Sequence, residues 1–189
     1  MQKWDKQTMK DFSLIQKIRN KIKVSKSSSL YISDKSKIVG CYIYIKGQNN
    51  KLTIDDNTTL RNTKIEIIGN NCEIFIGKEC MIGDNSYLSA KEETKLIIKD
   101  GCGFSRNIKI MTSDGHPIYK NNIRINPAKD IMIEDKVWIA DNVTVLKGVK
   151  IGQGSVIGIN STVTKDIPAN CIAAGNPSKV INTDILWQD

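Results

Sequence analysis

An all-β solenoid, a rod of short strands wound three to the turn, is the fold this 189-residue sequence predicts. Three observations carry that reading. From Ile133 onward every sixth residue is aliphatic: Ile133, Ile139, Val145, Ile151, Ile157 and Val163. Two positions before each of the later ones stands a second small or apolar residue: Val137, Val143, Val149, Ser155 and Ser161. Small residues that suit a corner, Ala140, Gly152 and Gly158, follow their aliphatics directly. A helix repeats every 3.6 residues and a strand every two, so neither gives a repeat of six. Three short strands per turn, one hexad each, do.

Residues 1–29 read differently. Phe12, Ile15, Ile18 and Ile22 recur at helical spacing among Lys10, Lys17, Arg19, Lys21 and Lys23. This predicts an amphipathic helix before the Ser25–Ser29 stretch, capping the open end of the rod. Its basic face also permits contact with a membrane surface.

The rod itself is expected over residues 30–181. Ile32 and Ile38 begin the rhythm, Cys41–Ile45 and Gln48–Asn50 slip it, and Leu52, Ile54 and Leu60 resume it. Ile76, Ile82 and Leu88 are in step, with Gly77 and Gly83 at corners; Lys91–Glu93 interrupts; Ile98, Phe104 and Ile110 form another set. The count amounts to about seven coils of 18 residues. Six beyond Ile110 lies His116, the only histidine, and the rhythm then fails until Ile133. Residues 117–130 are therefore expected to leave the rod as a loop, and a long excursion from a regular scaffold is a common home of function. Pro168, Gly175 and Pro177 end the repeat. Residues 182–189 form a tail whose Trp187 is expected to pack back on the rod.

The formal net charge is +8. That suits an anionic partner, but aromatics are only 6% and no nucleic-acid-binding motif is present, so nucleic acid is not expected. Phosphates of a cofactor or an acidic glycan fit as well. Five cysteines (Cys41, Cys72, Cys80, Cys102, Cys171) lack metal spacing; Cys80 and Cys102 fall in inward slots, as buried reduced thiols of a cytoplasmic protein would. The start lacks a signal-peptide pattern, and no run approaches a membrane span.

Four blocks now carry a resemblance: Ser113–Pro117 (Ser-Asp-Gly-His-Pro), Val137–Ala140 (Val-Trp-Ile-Ala), Val163–Asn170, and Ala174–Ile181 (Ala-Gly-Asn-Pro-Ser-Lys-Val-Ile). In that order, across residues 75–181, they resemble the hexapeptide acyltransferases, and most closely the galactoside and maltose O-acetyltransferases and the capsule and polysialic-acid O-acetyltransferases. The resemblance implies a left-handed parallel β-helix, a homotrimer with active sites between subunits, acetyl-CoA as donor and a carbohydrate as acceptor.

The residues themselves support acyl transfer. A hydroxyl needs a base near neutral pH, and histidine titrates in that range. One histidine cannot build a three-imidazole zinc site, so no metal is expected. No acyl-enzyme motif stands out, which favours direct attack. His116 is thus the expected base, with Asp114 orienting its ring. The resemblance makes Trp138 the wall of the acetyl and pantetheine channel, brings pantetheine against corner backbone near Ala140 and Gly158, and sets Lys165 and Lys179 near the nucleotide. An acceptor-gripping asparagine of the sugar acetyltransferases falls near Gly83, where Asp84 and Asn85 are the nearest candidates. Tyr119 and Arg124 on the loop complete the expected acceptor contacts. The expected activity is O-acetylation of a surface polysaccharide or its precursor. The rivals are N-acetylation of an amino-sugar nucleotide and a non-catalytic scaffold rod. An ice-binding rod would want flat rows of threonine, which the mixed outward positions do not supply.

Overall fold

The computed structural model describes residues 18–188. Its chain winds into a three-sided prism. The first face stacks seven strands: Lys21–Val24, Tyr42–Gln48, Lys64–Asn70, Tyr87–Lys91, Lys109–Met111, Thr144–Val145 and Thr162–Val163. The second stacks six: Ser29–Ile32, Lys51–Ile54, Glu73–Ile76, Lys95–Ile98, Ile131–Ile133 and Lys150–Ile151. The third runs from Lys37–Val39 through Thr59–Arg61, Met81–Ile82, Gly103–Phe104, Trp138–Ile139 and Val156–Ile157 to Ile172–Gly175. Ser178–Asn182 then folds back antiparallel on Ile172–Gly175.

Parallel pairing aligns like with like between coils. On the first face Ile43, Ile65, Leu88, Ile110, Val145 and Val163 are register partners in turn and all point inward, fully buried. Each such side chain contributes roughly 1.5–3 kcal/mol on burial, so the hexad pattern is the energetic basis of the rod. Corners need left-handed backbone, which asparagine tolerates better than most residues. Asn62, Asn85, Asn107, Asn142 and Asn160 all have positive φ at the corner between third and first faces. The Asn107 amide donates to the Asn142 carbonyl oxygen at 2.9 Å, linking one coil to the next.

Two expectations change. The coils are not uniformly of 18 residues. Asn49 and Asn71, or Leu60 and Ile82, occupy equivalent positions 22 residues apart. Only above the loop do partners such as Trp138 and Val156, or Thr144 and Thr162, stand 18 apart. The segments that slip the hexad count, Cys41–Ile45, Gln48–Asn50 and Lys91–Glu93, are the longer strands and fuller corners of these wide coils.

The second change is at the start. Phe12 and Ile15 of the expected helix lie outside the described residues. Ile18 and Arg19 carry a helical turn, but Ile22 belongs to a strand paired with Ile43. The Lys21-Ile22-Lys23-Val24 alternation fits the edge offered by Tyr42–Ile45, and that pairing outweighs helical spacing. The rod therefore begins at Lys21 rather than at residue 30.

The tail behaves as expected. Trp187 packs against Trp138, ring centroids 6.1 Å apart, and its indole N–H donates to the Lys136 carbonyl at 3.0 Å. All five cysteines are buried and unpaired by disulfides.

Candidate active site

The loop departs after Met111, at the corner between first and second faces, and rejoins the rod at Ile131. It is more ordered than an open excursion. Tyr119–Lys120 pairs antiparallel with Ile123–Arg124, and Asn121 and Asn122 between them have φ of 51° and 60°. Two left-handed residues in a two-residue hairpin turn match the twist of the flanking strands. The Asn-Asn dipeptide was the available signal for this hairpin. Its tip presents Ile118, Tyr119 and Ile123 outward.

His116 lies at the base of this loop, and one buried side chain sets its backbone. Asn126 donates through Nδ2 to the His116 carbonyl and to Asp114 Oδ2, both at 2.9 Å, and accepts the Ile118 N–H through Oδ1 at 2.6 Å. One amide thus ties positions 114, 116 and 118. Lys147, from the corner of the next coil, donates to Asp114 Oδ2 at 2.5 Å and to the Asn126 carbonyl at 3.0 Å. That ammonium, with the Asn126 amide, holds the Asp114 carboxyl below its ordinary range. Asp114 was expected to orient the imidazole. Its carboxylate is instead engaged by Lys147 and Asn126, and the His116 main chain is what the network grips.

A second tie secures the other flank. Ser113 donates its hydroxyl to Glu92 Oε1 at 2.7 Å, and Arg124 bridges Glu92 Oε2 at 2.6 Å. Both depress the Glu92 carboxyl. Arg124, expected on the acceptor, is here an anchor of the loop, whereas Tyr119 stays exposed. Asn126, Lys147 and Glu92 were missed by sequence reasoning. Asn126-Pro127 hinted at a fixed turn, but nothing local joins Asp114 to a lysine 33 residues away.

The other expected site residues lie elsewhere on the prism. Trp138 is on the third face, which opposes the corner bearing His116. With Met81, Gly103, Phe104, Ser105, Trp187 and Gln188 it lines a groove of about 280 Å³. Ala140 and Gly158 succeed one another along the corner between third and first faces, their N–H groups donating to the Ile157 and Ala173 carbonyls. Gly158 is tight: a Cβ there would meet the Ala174 Cβ at 2.9 Å. Lys179 lies beside them, opposite Ala174 in the terminal hairpin. Lys165 follows the last first-face strand, at the corner that also bears Lys147. Asp84 and Asn85 belong to the third-to-first corner, where Asp84 accepts from Asn62 at 2.7 Å and pairs with Arg61, and Asn85 supplies the left-handed turn. The chain therefore groups His116, Asp114, Tyr119, Arg124 and Lys165 at one corner. It groups Trp138, Ala140, Gly158, Lys179, Asp84 and Asn85 on the third face and its corner.

Comparison with known proteins agrees with this architecture. The family described as "Bacterial transferase hexapeptide (six repeats)" matches residues 130–165. A polysialic acid O-acetyltransferase of Escherichia coli O1:K1 is 35% identical over 82% of this chain; the chain spans 43% of that relative's length. The crystal structure of the polySia specific acetyltransferase NeuO superposes with a TM-score of 0.67 at 32% identity, covering 86% of this chain and 89% of that one. The chain belongs to the hexapeptide-repeat acyltransferase family. A further family member, a Vibrio cholerae acetyltransferase solved with acetyl coenzyme A, is 28% identical with a TM-score of 0.50 over 59% of this chain and 63% of that one. The rod is accordingly the family's left-handed β-helix. The matched segment coincides with the 18-residue coils, because a six-residue pattern cannot follow the 22-residue coils below them.

Proposed function

We propose that this chain transfers acetyl from acetyl-CoA to a hydroxyl of a carbohydrate. The observation that carries the reading is the lone histidine of a regular rod, at the base of a loop whose backbone is tied by Asn126, in a chain similar to O-acetyltransferases. His116 accepts the hydroxyl proton, the oxygen attacks the thioester carbonyl, and CoA leaves as the thiol after the proton is returned. Holding two substrates in register supplies much of such a rate.

The separation of His116 from Trp138, Ala140 and Gly158 within one protomer supports a site shared by neighbouring copies, most simply in a trimer. The loop of one copy would then meet the third face of the next. The apolar hairpin tip and the exposed Met81 and Trp138 suit such a contact. Lys165 and Lys179 are the cations for the donor's phosphates. The acceptor is an acidic surface polysaccharide or its precursor, as the +8 charge and the similarity to polysialic acid O-acetyltransferases both favour. A cytoplasmic setting supplies the donor.

Thiol release from acetyl-CoA, measured against candidate glycans, tests this. His116→Ala is expected to lower the rate by roughly 10²–10⁴; an unchanged rate overturns it. Lability of the product to mild base identifies an ester, and a stable amide product would overturn O-transfer.

A further inference from the structure

The first face carries a row of side chains that the chemistry above does not use. Lys21, Tyr42, Lys64, Tyr87 and Lys109 are register partners on five successive strands, all outward. Cation and ring alternate. The Lys21 ammonium is 5.4 Å from the Tyr42 ring centroid, and Lys64 lies 6.0 Å from Tyr42 and 5.2 Å from Tyr87. Neighbouring strands are about 4.8 Å apart, so the row extends roughly 19 Å along the rod. Glu66 fixes its centre, pairing with Lys64 at 2.7 Å and accepting the Tyr87 hydroxyl at 2.6 Å. At the lower end an open groove of about 590 Å³ is lined by Arg19, Lys21, Tyr42 and Lys64 among others.

Charge is unevenly shared among the faces. Second-face lysines are matched by carboxylates: Lys51 and Lys95 by Glu73, and Lys150 by Glu134. The outward third-face residues around Met81, Gly103, Trp138 and Val156 are uncharged. The first face sets Lys21, Lys46, Lys64, Lys91 and Lys109 against Glu66 among its strands' outward residues. A merely solvated face has no need of tyrosines between its lysines. Rings with an apolar body and a polar tip give flat platforms for sugar rings, and cations between them suit a repeating negative charge. The row also leads to the loop: Lys109 opens the strand ending at Met111, about 7 Å further along, where the chain departs for His116.

We propose that this row is a track for an acidic polysaccharide chain, which it holds along the first face while one sugar of that chain reaches the His116 loop. The proposal deepens the carbohydrate reading above and rests on it.

Fluorescence anisotropy without acetyl-CoA tests it, using end-labelled oligomers of sialic acid of increasing length, neutral maltodextrins of matching lengths and single-stranded DNA. Two variants, K21Q/K64Q/K109Q and Y42A/Y87A, change only outward positions, and thermal melting checks that each is folded. Affinity for the sialic acid oligomers is expected to rise with length and then level off, and to exceed that for the other two probes. Both variants are expected to weaken binding of the long oligomer tenfold or more. Binding unaffected by Y42A/Y87A would reduce the face to unspecific charge and overturn the track. So would equal affinity for maltodextrin, or DNA bound as tightly as the sialic acid oligomer. Turnover of a short acceptor, unchanged in both variants, is read separately. Loss of the track thus leaves the proposed chemistry standing, and absence of turnover leaves the binding result legible.

Discussion

The side-chain amide of Asn126 donates to the main-chain carbonyl of His116 at 2.9 Å, ten residues back in the chain. The same nitrogen holds Asp114, so a single buried group governs where the imidazole is presented. Asn126→Ala leaves the His116 carbonyl and the Ile118 N–H without their partner and Asp114 with Lys147 alone, at about 1–3 kcal/mol. The expected result is a fall in kcat of roughly 10- to 100-fold, with KM for acetyl-CoA little changed because the Asn126 side chain bonds Asp114, His116 and Ile118 and none of the candidate donor contacts. Steady-state kinetics with each substrate varied separately checks it; a defect confined to KM for the donor would contradict it.

Acid should loosen the same loop. Lys147 depresses the Asp114 carboxyl, so the stabilisation is fully present above the unfolded value near 3.9 and is lost as pH falls through the lower folded value. Glu92, held down by Ser113 and Arg124, acts in the same direction. Stability measured by urea unfolding is therefore expected to decline below about pH 4, and less steeply in Lys147→Met. Equal slopes for the two proteins would show that this ion pair has no share in the decline.

Gly152 tests how tightly the coils are stacked. It is fully buried in the rod wall, and a Cβ there would lie 2.4 Å from the Ala169 nitrogen and 2.7 Å from its Cα. Backbone cannot swing aside as a side chain can. Gly152→Ala is expected to destabilise the protein by about 1–3 kcal/mol. Gly115→Ala meets no neighbouring atom within 4 Å and is opposed only by its φ of +87°, so it should cost less. Thermal melting of the two variants compares them directly.

The five thiols should be silent in the native protein. Burial raises the Cys41 and Cys72 thiols, and the neighbouring Cys80 thiol, together with burial, raises Cys102. A thiol reagent is expected to titrate fewer than one cysteine per chain before unfolding and all five afterwards. Rapid reaction of any of them in the folded state would contradict their placement in the core.

Much of the rod was legible because its energetics are local and periodic. Ile133 to Val163 repeat a rule that can be read without knowing any contact, and the failure of that rule after Ile110 located the loop. The lower coils obey a different rule, with long first-face strands such as Tyr42–Gln48, so a count of six saw only interruptions there. The start was misread because Ile18 and Ile22 satisfy helical spacing, while the strand Lys21–Val24 draws its stability from Tyr42–Ile45 on the next coil. At the loop, His116 could be singled out by its rarity. The grip of Asn126, the pairing of Lys147 with Asp114 and the anchoring of Arg124 by Glu92 are relations between distant positions, and no spacing in the chain announces them.

The change of coil length partway along the rod restricts how such a protein can grow or shrink. Duplicating a whole lower unit, such as residues 42–63, would return every aliphatic to its stack and every asparagine to its bend. Removing a single hexad from that region would instead carry each later strand onto the neighbouring face, out of register with the stack it belongs to. Gain or loss of length in this lineage is therefore expected in complete windings, with the larger and smaller gauges never interchanged.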